Sequence, residues 1–256
     1  MSPARDSAVR VGLVYPELLG TYGDRGNAVV LVQRARWRGH DAELVEVPAG
    51  TAIPDSLDVY LFGGGEDDPQ VMASAGMRAS RAAIDRARSG GAAVLAVCAG
   101  FQLIGHSYEA ADGEIIEGLG LVDAVTRAGP NRLIGELVVE PAAPLPVLTG
   151  FENHGGRTTL GPAERPLGRV VARDGKDDGA GTGTDGVLAD RLIGTYLHGP
   201  VLPRNPALAD HILSWVVGEL GPTDSEREEQ LRASRLHAGT ARGLRKWWQR
   251  RVLTRG

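Results

Sequence analysis

Residues 92–104 read AAVLAVCAGFQLI. Ala92–Val97 is an unbroken apolar run, which suits a strand covered on both faces inside a parallel sheet. Phe101–Tyr108 is expected to be helical. Cys98 therefore stands where a strand turns into a helix. A nucleophile on such a tight turn needs small residues two positions to either side, and Ala96 and Gly100 meet that need. In an open α/β sheet the carboxyl ends of the strands form the ligand-binding edge. The helix N-terminus is expected to lower the thiol's pKa, because its N–H groups favour thiolate. The plainer alternative is a buried, inert thiol, since free cysteine is among the most buried residue types.

The same grammar extends in both directions. Val9–Val14, Ala42–Val47 and Val59–Phe62 read as strands. Gly23–Arg38 and Pro69–Arg88 read as helices, the latter closed by Gly90-Gly91. Strands alternating with helices predict an α/β fold with a largely parallel sheet. Beyond Gly113 the segments LGLVDAV, LIGELVVE and GRVVARD are short, rich in β-branched residues and bounded by Gly, Pro or Asn, as antiparallel strands and hairpins are. Residues 175–186, GKDDGAGTGTDG, suit a polar loop. Residues 206–220 return to helical spacing. The expected organisation is one domain over 1–224 and a basic, helical tail over 225–256.

The chain has 256 residues, a formal net charge of -4 and a single cysteine. That charge argues against a general affinity for nucleic acid. One cysteine rules out an internal disulfide and fits a reducing compartment. The sequence MSPARDSAVR lacks the apolar core of a secretory signal, and no apolar run reaches the ~20 residues of a membrane span. A cytoplasmic location is expected. From Leu231 onward there are eight Lys and Arg residues and no acid, with Trp247 and Trp248 among them. If helical, such a tail suits an acidic partner or an anionic membrane surface; the plainer alternative is a disordered, solubilising tail.

A nucleophilic cysteine needs a base. Of the six histidines, His198 follows a strand-like run (191–197) and precedes Gly-Pro, which places it at another strand's carboxyl end. His154, in GFENHGGRT, is the rival. Gly63-Gly64-Gly65 follows an apolar strand, and backbone N–H groups free of side chains can approach an oxyanion. Glu66-Asp67-Asp68 reads as a solvated acidic loop, and no metal site is expected.

FGGGEDDPQ (62–70), AVCAGFQLIG (96–105) and GTYLHGP (194–200) together resemble the class I glutamine amidotransferase domain, in its CobB/CobQ-like branch. TYGDRGN (21–27), NRLIGELVVE (131–140) and GFENHGGRT (150–158) are similar to the GatD subfamily, the glutaminase subunits that pair with a MurT-like, Mur-ligase-related subunit. The resemblance implies a class I amidotransferase fold with flavodoxin-like topology. It implies Cys98 as the nucleophile and His198 as the base. It further implies Gly64 and Ala99 N–H groups as oxyanion donors, and Gln102 and Arg132 as glutamine-binding residues. A guanidinium can hold a carboxylate bidentately. The family chemistry is hydrolysis of L-glutamine through a Cys98 thioester. The ammonia then serves an ATP-dependent ligase that amidates the α-carboxyl of D-glutamate in lipid II. No cofactor is expected in this chain, since no phosphate-binding loop is present. ATP and Mg are expected in the partner.

His198-Gly199-Pro200 departs from the frequent His-x-Glu arrangement, and no acid follows to orient the imidazole. Another acid of this chain, or one from the partner, would have to serve, or the domain is weakly active alone. Three other functions share the scaffold: a cysteine peptidase or DJ-1-like protein, a glutaminase serving a cobyric-acid-type amidation, and a non-catalytic regulatory module.

Overall fold

The computed structural model describes residues 7–236, apart from 22, 111, 143–144, 176–182, 224–225 and 235. Strand β1 (Val9–Val14), helix α1 (Arg25–Trp37), β2 (Ala42–Val47) and β3 (Val59–Phe62) come first. Helices α2 (Asp67–Ala79) and α3 (Arg81–Ser89), β4 (Ala93–Val97) and helix α4 (Ala99–Ile104) follow. The β-rich middle comprises β5 (Ser107–Glu109), β6 (Ile115–Glu117), β7 (Ala124–Pro141), β8 (Leu148–Leu160), β9 (Gly168–Gly175) and β10 (Thr184–Asp185). The chain then returns through β11 (Val187–Ala189), β12 (Leu192–Thr195), α5 (Val201–Arg204) and α6 (Pro206–Val217). A last helix, α7, covers 226–234.

The main sheet has the order β11-β12-β4-β3-β1-β2. Every pair in it is parallel except β11 with β12. The apolar runs of β3 and β4 are buried along their whole lengths, as strands covered on both faces must be. β2, at the edge, mixes buried and exposed positions. The second sheet runs β10-β9-β7-β5-β6, with β8 also on β7. Its long β7–β8 hairpin is antiparallel and shifts register between Ala128 and Leu133. The α/β reading with additional antiparallel strands thus describes the molecule.

Two helix boundaries differ from expectation. The helix read over 69–88 is broken at Ser80, whose Oγ accepts the Ile53 N–H (2.9 Å). A hydroxyl committed to a distant backbone group marks a local stop that apolar spacing does not reveal. The helix read over 101–108 ends at Ile104, and Ser107 already belongs to β5. Gly105 turns the chain here: a Cβ on it would lie 2.6 Å from the Ala124 carbonyl oxygen at the start of β7.

Helix α1 is tied to the C-terminal part of the chain by a buried guanidinium. Arg34 bonds Asp210 on α6 through Nε (2.6 Å) and Nη2 (2.7 Å), and Glu228 on α7 through Nη1 (2.5 and 2.6 Å). Most of the basic tail, including Trp247 and Trp248, lies outside the described residues. None of the described helices is long and apolar enough to cross a membrane.

Candidate active site

Cys98 sits at the elbow between β4 and α4 with φ 52° and ψ −107°. Non-glycine residues rarely adopt positive φ, and holding one there costs on the order of 1–3 kcal/mol. The neighbouring strand ends lock it in place. The Cys98 N–H donates to the Thr195 carbonyl at the end of β12 (2.9 Å), and the Gly100 N–H donates to the Gly63 carbonyl beyond β3 (3.0 Å). Gly100 must be glycine: a Cβ there would lie 2.7 Å from both the carbonyl carbon and the Cβ of Phe62. The expected crowding at this turn is therefore real, and its source is the adjacent strand β3.

Cys98 opens onto a cavity of ≈ 150 Å³ whose wall also includes Gly65, Glu66, Gln70, Gln102, Arg132, Asn153 and His154. A space of this order suits a single small molecule. Arg132 reaches it from the β7–β8 hairpin, oriented by a bond from its Nε to Asn153 Oδ1 (2.5 Å). Gln102 is backed by Tyr196, whose hydroxyl bonds Thr158 Oγ1 (2.7 Å). The structure thus brings Cys98, Gln102 and Arg132 to one cavity.

His198 lies at the carboxyl end of β12, three residues past Thr195, which pairs with Val97 in β4. It is fully buried and is not among the residues lining the Cys98 cavity. Its backbone exchanges hydrogen bonds with Phe151 of β8 (2.9 and 3.0 Å), which joins the two sheets at this point. Its ring packs edge-on against Phe151. Burial, and then the electrostatic influence of His154 and Arg132, push its pKa down to about 4. At neutral pH the imidazole is therefore uncharged.

The rival His154 does line the cavity, but its nitrogens face elsewhere. Nδ1 bonds the Gly156 carbonyl (2.8 Å), and Nε2 lies 3.5 Å from Glu152, which pairs with Arg173 (2.7 Å). The ring stacks on Tyr196, with centroids 3.6 Å apart. His154 acts as a wall. A larger cavity of ≈ 380 Å³ lies on its other side and includes neither Cys98 nor Arg132.

Two expectations need correction. The thiol is not made acidic by the helix terminus. Burial pushes the Cys98 pKa up to about 12, with the Asp24 carboxylate adding to the rise, while the Ala99 N–H and Arg132 oppose it. Desolvation outweighs what a six-residue helix can offer. The second correction concerns Gly64, whose N–H is already engaged: it donates to Asp24 Oδ2 (2.7 Å). Ala99, by contrast, points its N–H at the sulfur. Asp24 is buried, also accepts from Asn27 Nδ2 (3.2 Å), and has its pKa raised to about 6, chiefly by burial.

Asp24, Gln70, Asn153 and Tyr196 were not singled out by the sequence reading. Each lies within a stretch that carries the resemblance: TYGDRGN, FGGGEDDPQ, GFENHGGRT and GTYLHGP. The signal was present at the level of the motif and not of the residue.

The CobB/CobQ-like glutamine amidotransferase domain matches residues 10–206 of this chain. The GatD subunit of lipid II isoglutaminyl synthase (glutamine-hydrolyzing) from Staphylococcus aureus (strain N315) is 34% identical over 225 residues, 85% of this chain and 90% of that protein. The corresponding GatD from Streptococcus pneumoniae (strain ATCC BAA-255 / R6) is 35% identical over 208 residues, 80% of this chain and 79% of that protein. Among solved structures, PurLQS from Thermotoga maritima shares the fold at 16% identity, with a TM-score of 0.52 over 90% of this chain and 100% of that one.

Proposed function

Because this chain belongs to the CobB/CobQ-like glutamine amidotransferase family, we propose that it is the glutaminase subunit of a lipid II isoglutaminyl synthase, paired with a MurT-like ligase. The observation that carries this reading is the near full-length similarity to GatD subunits, supported by a strained cysteine elbow facing a cavity for one small molecule.

In this mechanism L-glutamine enters the Cys98 cavity with its α-carboxylate on Arg132, which Asn153 holds in orientation. Gln102 lines the side-chain end. Cys98 Sγ attacks the carboxamide carbon as its proton passes to the neutral His198 imidazole. The oxyanion is met by the Ala99 N–H and, once Asp24 releases it, by the Gly64 N–H. His198 returns the proton to the departing nitrogen, and ammonia leaves a γ-glutamyl thioester. Water then attacks the thioester, releasing glutamate and restoring the thiol. Ammonia passes to the partner, where ATP and Mg drive amidation of the α-carboxyl of D-glutamate in lipid II. The acceptor places this work at the inner face of the membrane.

A thiol with a pKa of about 12 and an imidazole near 4 exchange a proton poorly. Substrate or partner must bring negative charge toward His198, or release the Gly64 N–H from Asp24. A carboxylate contributed by the partner would do the first. The test is co-purification with a MurT-like chain, followed by glutamine-dependent amidation of lipid II. Loss of amidation in Cys98→Ser with ammonia salts restoring it is the expected result. A complex that amidates lipid II equally well with Cys98 replaced and no free ammonia would refute the proposal.

A further inference from the structure

The Cys98 cavity contains a polar atom that the mechanism above does not use. Gln70, in the first turns of α2, is 2% exposed and forms part of the cavity wall. Its Nε2 donates a long bond to the Gly65 carbonyl (3.4 Å), while its Oε1 is buried with no hydrogen-bond partner among the described residues. The amide cannot be turned over to relieve this, because Oε1 would then face the Gly65 carbonyl, acceptor against acceptor. A buried acceptor left unbonded is costly, and an apolar side chain of similar size would avoid the cost. The side chain is thus arranged for a donor that arrives with the ligand.

Glutamine offers donors at two ends. The carboxamide end is taken by Cys98, the oxyanion donors and His198. At the other end, the α-carboxylate suits Arg132, but the α-ammonium is repelled by that guanidinium and needs acceptors. Gln70 Oε1 and the Glu66 carboxylate are acceptors that the N-terminal turns of α2 supply to the same wall. We infer that Gln70 Oε1 accepts a hydrogen bond from the α-ammonium group of the substrate, which makes Gln70 a specificity-determining residue for an amino acid over a plain amide. This rests on the reading that the cavity takes L-glutamine.

The test compares L-glutamine with glutaramate, the same molecule with hydrogen in place of the amino group. Both are assayed as substrates of the full chain in complex with its partner, using wild type, Gln70→Leu, Gln70→Met and Gln70→Glu. Leu and Met remove the acceptor, and Glu keeps one. Losing a hydrogen bond to a charged group should raise KM for L-glutamine roughly ten- to a hundredfold in the Leu and Met variants. Glutaramate turnover should change far less, so that the preference for glutamine collapses. The melting temperature of the Leu variant should stay level or rise, because an unbonded acceptor is gone. The Glu variant should retain the preference. A preference unchanged by Leu and Met, or a loss shared equally by both substrates, overturns the role of Gln70 while leaving the glutaminase intact. Wild type that hydrolyses neither substrate, with Cys98 unlabelled by a glutamine-mimicking electrophile, overturns the glutaminase reading and this inference with it.

Discussion

Asp24→Asn should stabilise the protein at neutral pH while making its thiol more reactive. In the fold the Asp24 pKa is raised from 3.8 to about 6. The folded state therefore holds this proton more tightly than the unfolded chain does. The associated stability is present at low pH and is lost as pH rises from about 4 through about 6. Above that range the buried carboxylate costs the fold on the order of 3 kcal/mol. Asparagine does not titrate, and its Oδ1 can still accept the Gly64 N–H, at the cost of the 3.2 Å bond from Asn27 Nδ2, which a protonated Asp24 weakens as well. The two proteins should melt alike near pH 4. By pH 8 the variant should lead by up to roughly 10 °C, taking ~2–4 °C per kcal/mol for a chain of this size. Asp185, also raised to about 6, and His198, lowered to about 4, titrate in the same acidic range. They are common to both proteins, so the difference between the melting curves isolates Asp24. The second arm is alkylation of Cys98 by iodoacetamide at pH 8. Removing the Asp24 charge, the largest influence after burial that holds the thiol protonated, should speed it. A melting difference independent of pH, or alkylation no faster than in wild type, would refute the reasoning.

Two further outcomes follow from the elbow. Gly100→Ala should destabilise the protein by about 1–3 kcal/mol or displace the Cys98 turn, since its methyl meets β3 backbone that cannot yield; chemical denaturation and glutamine turnover together read this out. In wild-type chain without a partner, the Cys98 alkylation rate should keep rising beyond pH 10, as a pKa of about 12 requires, and a plateau by pH 8 would show an acidic thiol instead.

The parallel sheet and the Cys98 elbow were legible because they depend on local pattern. A strand buried on both faces has to be apolar throughout, and an elbow has to be flanked by small residues. Val59–Phe62, Ala93–Val97, Ala96 and Gly100 satisfy both conditions within a few positions. What escaped depends on contacts across the fold. Nothing near Gly64 in sequence indicates that its N–H is taken by a carboxylate 40 residues earlier. The thiol's acidity is set by how thoroughly the surrounding layers exclude water, which no local rule for helix termini conveys. Ser80 interrupts a helix because Ile53 uses its hydroxyl, and Gly105 ends one because β7 passes close by. Gln70 looks like an ordinary helical residue until its amide oxygen is found buried with no donor among the described residues.

The arginine clasp at the far end of α1 has a practical consequence. α1 begins one residue after Asp24, and Arg34 near its other end is gripped by acids from α6 and α7. A truncation or fusion that removes Glu228 would strand half of that grip inside the protein, on the same rigid rod that seats Asp24 beneath the glycine turn. A C-terminal truncation should therefore leave Glu228 in place, and a cut that removes it should be treated as an alteration to the footing of the Cys98 elbow.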